Sequence, residues 1–281
     1  GAAWLGLATN APLVLANSTH TLPFRQNAAP LLLHWNENSL GMSPNALSAA
    51  KHAIENCGNR YPDASVDQFK LKLADHHNVK PEQIIFGNGS TEVLQAIATY
   101  AAQNNATMVE PSPTFGDLNG YCKAENLKVI QVPVEQNFEM DIAALKKQAM
   151  AQTGAVLINI CNPNNPTGNI VDFTTLFDWI NNAPETHLFL LDEAYFDYAQ
   201  ANARYKSGLA LINQGKDNVV ITRTFSKVHG MAGMRMGYGI ATENTAHKIK
   251  PFAAGFNLSA AALAAASAAL DDKPFYKKSI E

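Results

Sequence analysis

The strongest constraint on this chain is a rhythm: short apolar runs alternate with longer stretches of helical period. The runs fall at 84–86, 107–109, 128–132, 155–160, 187–191, 218–222 and 238–241. Helical patterns lie at 47–55, with Leu47, Ala50 and Ile54 on one face, and at 66–77, with Phe69, Leu73 and Ala74 inward. Further helices are expected at 91–103, at 141–150 behind the acid Asp141, at 173–181, and at 259–270, an Ala-rich stretch with Ser259 as its N-cap. Pro111 and Pro113 close the second run. Strands apolar on both faces need cover on both faces, and here that cover is helical. The pattern predicts an α/β fold, a three-layer α-β-α large domain around a mainly parallel, seven-stranded sheet.

Composition narrows the function. Of 281 residues, 47% are hydrophobic and 16% charged, with 21 Lys+Arg against 24 Asp+Glu and a formal net charge of −3. That excludes a disordered chain. It argues against a nucleic-acid binder too, since no basic excess exists to neutralise phosphates. The cysteines Cys57, Cys122 and Cys161 are widely spaced, make no C-x-x-C pair, and are expected to be buried thiols. The histidines include no H-E-x-x-H, so no metal site is expected. Residues 1–16 carry no charge, and the first charged residue is Arg25. This stretch reads either as the remnant of an export signal or as an apolar arm packed on a partner subunit. It is too short, and too broken by Pro12, for a membrane span, and no other segment qualifies.

In open parallel sheets, ligands bind beyond the carboxyl ends of the strands. Four turns there carry chemistry. Gly87-Asn88-Gly89-Ser90-Thr91-Glu92 follows the first run and opens a helix, whose free N–H groups make an anion site. It is not G-x-G-x-x-G, because Glu92 holds the last position, and it is not a Walker A loop. Asn162-Pro163-Asn164-Asn165-Pro166-Thr167-Gly168 is a rigid turn that aims an Asn at the sheet end. Asp192-Glu193-Ala194-Tyr195 ends a buried strand on an acid that needs a cation or a strong donor. The same acids suit an ATPase Walker B strand, but the chain has no Walker A partner. Ser226-Lys227 is followed by a glycine-rich stretch to Arg235, a setting that depresses a lysine pKa and makes a nucleophile or base. An anion cradle, an acid wanting a cation, a phenol with amides, and a reactive lysine are the set that pyridoxal 5'-phosphate requires.

With those residues in view, the chain resembles the fold-type I pyridoxal-phosphate-dependent aminotransferases, and within them the histidinol-phosphate aminotransferase branch. The resemblance runs from about Leu33 to the C-terminus. It rests on Asn36-Glu37-Asn38 with Leu40-Gly41, Arg60-Tyr61-Pro62, Asn162 to Gly168, Asp192 to Tyr195, and Ser226-Lys227 with Gly233-Met234-Arg235-Met236-Gly237. It implies an aspartate-aminotransferase-like fold. Lys227 would be the Schiff-base lysine and proton carrier. Asp192 would hold the pyridinium N–H, and Tyr195 and Asn165 would donate to the ring oxygen. Ser90, Thr91, Ser226 and Arg235 would cradle the phosphate, and Phe115 would stack on the ring. Tyr61 would reach the phosphate from the neighbouring subunit of a homodimer. Asn36, Glu37 and Asn38 would line the substrate pocket. Two positions depart from the branch: Phe115 stands where Tyr is usual, and Ser39 replaces a common Pro.

The resemblance divides the chain into an N-terminal arm at 1–45, a cofactor-binding large domain at 46–270, and the start of a small C-terminal domain at 271–281. The resemblance implies that most of that small domain, with its substrate-gripping arginine, is missing from the sequence. The expected function is amino transfer between an amino acid and an oxo acid or oxo phosphate ester. The alternatives are a pyridoxal-phosphate decarboxylase related to threonine-phosphate decarboxylase, or a cofactor-binding fragment inactive without its small domain. The cytoplasm is the family default, and the periplasm is the alternative if 1–16 is a signal remnant.

Overall fold

The computed structural model describes residues 33–281, so both readings of residues 1–16 lie outside the described residues. Leu33–Trp35 group with the N-terminal unit, and the architecture below is that of the compact unit Asn36–Glu281. Helices α1 (Pro44–Cys57) and α2 (Asp63–His77) lead into β1 (Ile84–Asn88) and α3 (Ser90–Gln103). Strand β2 (Thr107–Ser112), α4 (Asp117–Ala124), β3 (Val129–Pro133), α5 (Ile142–Met150) and β4 (Val156–Cys161) follow. Next come α6 (Phe173–Asn181), β5 (His187–Asp192), the short α7 (Phe196–Ala199) and α8 (Leu209–Asn213), and β6 (Val219–Thr224). The chain ends with β7 (Met236–Ala241), α9 (Glu243–Ile249), α10 (Ala260–Asp271) and α11 (Lys273–Ile280).

Side-chain oxygens fix several helix starts. Ser43 accepts from Ala46 N, Asp141 from Ala144 N, Asp172 from Thr174 N, and Ser259 from Ala262 N. The sheet has seven strands in the order β1-β7-β6-β5-β4-β2-β3. Strand β7 runs antiparallel to both β1 and β6, and the other pairs are parallel, so β7 alone is reversed. Alternate residues feed two cores. Ile158, Phe189 and Ile221 face α1, α5, α6 and α10, whereas Leu157, Leu190 and Val220 face α3, α4 and α9. This is the expected three-layer, mainly parallel architecture.

Three expectations change. On α1 the buried face is Ala46, Ala50 and Ala53, while Leu47 and Ile54 are exposed. The partner explains it: α1 lies along the Ala-rich α10, and small residues on both helices permit a close approach that Leu or Ile would block. Strand β2 runs through Pro111 to Ser112, because its ladder with β4 covers only Thr107–Val109 and leaves an edge where a missing N–H is tolerated. Cys122 and Cys161 are buried, but Cys57, at the end of α1, is exposed.

Two buried polar clusters fix the strand ends. Glu110 on β2 accepts from Asn119, Gln131 and Asn159, joining α4, β3 and β4. Glu193 receives Arg223 through Nη2 at 2.9 Å and Nε at 3.1 Å, plus Ser207 Oγ and Gly208 N. The Arg223 guanidinium also sits 3.5 Å from the Phe196 ring centroid. Only 3% of Arg223 and 2% of Glu193 are exposed, so neither charge can fall back on water. Glu193→Gln strands the guanidinium, and the denaturant-unfolding free energy is expected to fall by about 3–5 kcal/mol.

Candidate functional site

Because only β7 is reversed, the carboxyl ends of β1, β4, β5 and β6 and the start of β7 meet at one rim. Cys161 pairs with Asp192, Asp192 with Thr222, and Asn88 with Met236. The four turns singled out in the sequence therefore open at that rim.

Asp192 is the last residue of β5 and 4% exposed. Its Oδ1 accepts from Ala194 N and from Thr222 Oγ1, each at 3.2 Å. Its Oδ2 has no donor among the described residues. Burial raises its pKa to about 6, against the two hydrogen bonds and with help from the Glu193 and Asp117 charges. This carboxylate is poised to take an N–H that carries positive charge.

Lys227 follows β6, and its Nζ donates to the Asn36 carbonyl at 3.3 Å and lies 5.5 Å from the Tyr195 ring centroid. Burial lowers its pKa and Arg235 adds to the effect, while Glu37 and Asp192 oppose it. The Tyr195 hydroxyl accepts from Asn36 Nδ2 at 3.1 Å. Asn36, Asn165 and Tyr195 line one cavity of about 310 Å³, closed by Pro163, Pro166 and Tyr198. Larger hollows of about 740 and 480 Å³ lie at the amino ends of β4 and β5 and beneath α7, and neither touches Lys227 or Asp192.

The anion turn is built by close approach. Gly89 is the N-cap of α3 at φ 71° and supplies no capping side chain, so the N–H groups of the first turn, at Ser90 and Thr91, have no side-chain cap. A Cβ on Gly89 would lie 2.3 Å from Arg235 Nη2, and one on Gly237 would lie 2.1 Å from Ser90 N. Arg235, in the left-handed region at φ 56°, donates to the carbonyls of Ala232 at 3.0 Å and Asn88 at 3.3 Å. Ser226 is buried, its Oγ accepting from Thr224 Oγ1 at 2.8 Å.

The remaining candidates are less central. Phe115 is half-buried in the turn before α4; its neighbour Thr114 bonds Asn164 at 2.7 Å. Asn38 is spent on structure, donating to Val228 O and Ser279 Oγ at 3.0 Å each. Glu37 acts on Lys227 through charge. Tyr61 is 77% exposed, its ring 5.1 Å from that of Phe256, outside the cavity of its own chain. The sequence reasoning missed Thr222, which looks like a core strand residue, and Asp117. Asp117 begins α4, whose carboxyl is raised by burial and pulled down by Arg235; the segment's Asn and Gly conceal the helix.

Comparison with known proteins follows the same lines. The family model for aminotransferase class I and II matches residues 29–281. The histidinol-phosphate aminotransferase of Geobacillus sp. (strain WCH70) is 39% identical over 88% of this chain and 66% of its own length. That of Moorella thermoacetica is 38% identical over 88% of this chain and 62% of its own. The crystal structure of the Sinorhizobium meliloti histidinol-phosphate aminotransferase in complex with pyridoxal-5'-phosphate superposes with a TM-score of 0.80 at 29% identity, covering 88% of this chain and 65% of that one. The chain thus spans somewhat under two thirds of the length of these relatives.

A carboxyl whose folded pKa is raised holds its proton more tightly in the folded chain than in the unfolded one. Its ionisation therefore costs stability as pH rises from about 4, the unfolded value, to about 6. Without added ligand, the native chain is expected to lose up to about 3 kcal/mol more than Asp192→Asn across that window. Asp197, also pushed up to about 6 by burial, is common to both proteins and cancels. Parallel pH profiles of the two unfolding free energies would overturn the assignment.

Proposed function

The chain belongs to the class I and II aminotransferases, and from that premise we propose that it binds pyridoxal 5'-phosphate and moves an amino group between an amino donor and an oxo acid or oxo phosphate ester. The favoured donor is histidinol phosphate, after the relatives at 38–39% identity. One observation carries the reading: a buried carboxylate with an open oxygen at the end of β5, and a lysine of lowered pKa just after the adjacent β6, at the rim that also holds an anion turn backed by Arg235.

The residues fit the cofactor. The side of Gly89 that a Cβ would fill is occupied by the Arg235 guanidinium, beside α3 N–H groups without a side-chain cap, which suits a phosphate. When bound, the cofactor supplies an electron sink for charge developing at the substrate carbon. In this reading Arg235, Ser226 and the start of α3 hold the phosphate. Asp192 Oδ2 holds a proton on the ring nitrogen. Tyr195 and Asn165 donate to the ring oxygen, and Phe115 covers one face. Lys227 Nζ attaches the cofactor and carries the proton to and from the substrate carbon; its lowered pKa favours the neutral amine that both tasks need. Asn36 and Glu37 line the substrate side, and Asn38 holds that arm in register.

Tyr61 is assigned to the site of a second copy in a homodimer, which accounts for a 77% exposed aromatic away from its own cavity. The reaction is assigned to the cytoplasm, and the large domain to residues 46–270. Among the described residues no helix is long and apolar enough to cross a membrane.

Two measurements separate the parts of the proposal. Borohydride treatment after mixing with pyridoxal phosphate is expected to fix the cofactor on the Lys227 peptide, and Lys227→Ala to abolish that adduct; an adduct retained elsewhere would refute the lysine. Turnover of histidinol phosphate with an oxo acid is expected to yield the oxo ester, with Lys227→Ala slower by about 10²–10⁴-fold. Carbon dioxide released from threonine phosphate would favour decarboxylation. Cofactor capture without turnover of either substrate would mean that residues beyond this chain are needed.

A further inference from the structure

Glu92 occupies the position that keeps 87–92 from being a dinucleotide fingerprint, and none of the roles above uses it. It is the third residue of α3, half-buried, in the same first turn as the N–H groups assigned to the phosphate. An acid there favours the helix start but repels a bound anion, so charge alone would make it unfavourable to phosphate binding.

Its bonds point to a second role. Oε2 accepts from Asn88 N at 2.6 Å, and Oε1 accepts from Ala254 N at 3.0 Å and Asn257 Nδ2 at 2.9 Å. Asn88 Nδ2 in turn donates to Asn257 O at 2.6 Å. Asn88 is thus gripped on its N–H side by Glu92 and on its carbonyl side by Arg235. The carboxylate reaches back past Gly89 to the residue before it and leaves the amides of Ser90 and Thr91 untouched. The loop it recruits carries Phe256, at φ 55° and packed on Tyr61.

We propose that Glu92 is a positioning residue for the cofactor phosphate: it clamps the β1–α3 turn to the 254–257 loop, and so fixes the peptide against which Arg235 and the α3 amides aim at the anion. This rests on the cofactor reading above. The clamp and the bare charge predict opposite signs. If Glu92 acted through charge alone, Glu92→Gln would remove a repulsion and tighten phosphate binding. If it acts as a clamp, the Gln amide turns a donor toward donors, the turn loosens, and phosphate binding weakens.

The test compares equilibrium binding of pyridoxal 5'-phosphate with that of pyridoxal, which lacks the phosphate, using the chain as it stands. Glu92→Gln is expected to weaken pyridoxal phosphate about tenfold, the scale of one lost charge-assisted hydrogen bond, and to leave pyridoxal within about twofold. Asn257→Ala removes one donor without touching the carboxylate, and is expected to move the same ratio in the same direction by less. An unchanged or tighter affinity for pyridoxal phosphate in Glu92→Gln overturns the clamp, and so does an equal loss of both probes. A native chain with no preference for the phosphorylated probe overturns the anion cradle itself, which separates failure of the cofactor reading from failure of the clamp.

Discussion

The site depends on how closely β7 approaches the turn between β1 and α3. Residue 237 faces the Ser90 and Gly89 backbone at a distance that leaves no room for a Cβ, while residue 89, at φ 71°, lies against the movable Arg235 guanidinium. Gly237 therefore sets how closely the start of β7 approaches the anion turn. The reversal of β7 makes this possible. Its start, not its end, lies at the rim, so the connection from β6 is a local return that keeps Ser226, Lys227 and Arg235 beside the strands they serve. A parallel β7 would need a crossover of a dozen residues or more and would carry Arg235 to the far side of the sheet.

Asp192 and Glu193 show how one strand end serves two purposes. Successive residues of an extended chain point to opposite faces. Asp192 meets Thr222 and keeps one oxygen open, while Glu193 turns into the hollow behind and is consumed by Arg223, Ser207 and the Gly208 amide. The buried ion pair fixes β5 to β6, and hence the spacing between Asp192 and Lys227. A buried carboxylate with an open oxygen needs its neighbours satisfied by protein, since two buried acids with open oxygens would raise each other's pKa and both would take up protons.

What was legible in the sequence follows from what is local. The strands were readable because burial on both faces removes polar residues from them. The long helices were readable from period and caps such as Asp141 and Ser259. The strand-end motifs were readable because the chemistry sits on turns of unusual composition. The inward face of α1 was not, because Leu47 and Ile54 are the apolar choice until the partner is known to be an alanine surface. Helices α4, α7, α8, α9 and α11 escaped because they are short, and α4 carries Asn and Gly within it. Thr222 and Asp117 were hidden for a related reason: each has an unremarkable local context and matters only through a contact across the fold.

Several local conflicts meet at the rim. Arg235 holds a left-handed backbone that costs a non-glycine residue about 1–2 kcal/mol. Helix α3 begins without a side-chain cap, although α1, α5, α6 and α10 all have one. Asp192 is buried with an open oxygen, and Lys227 is held below its ordinary pKa. The second Asp192 oxygen and the first amides of α3 are an acceptor and donors left open at the same rim. An open acceptor and open donors at one rim are preorganised for a ligand, and an anion that carries a ring N–H would satisfy both together.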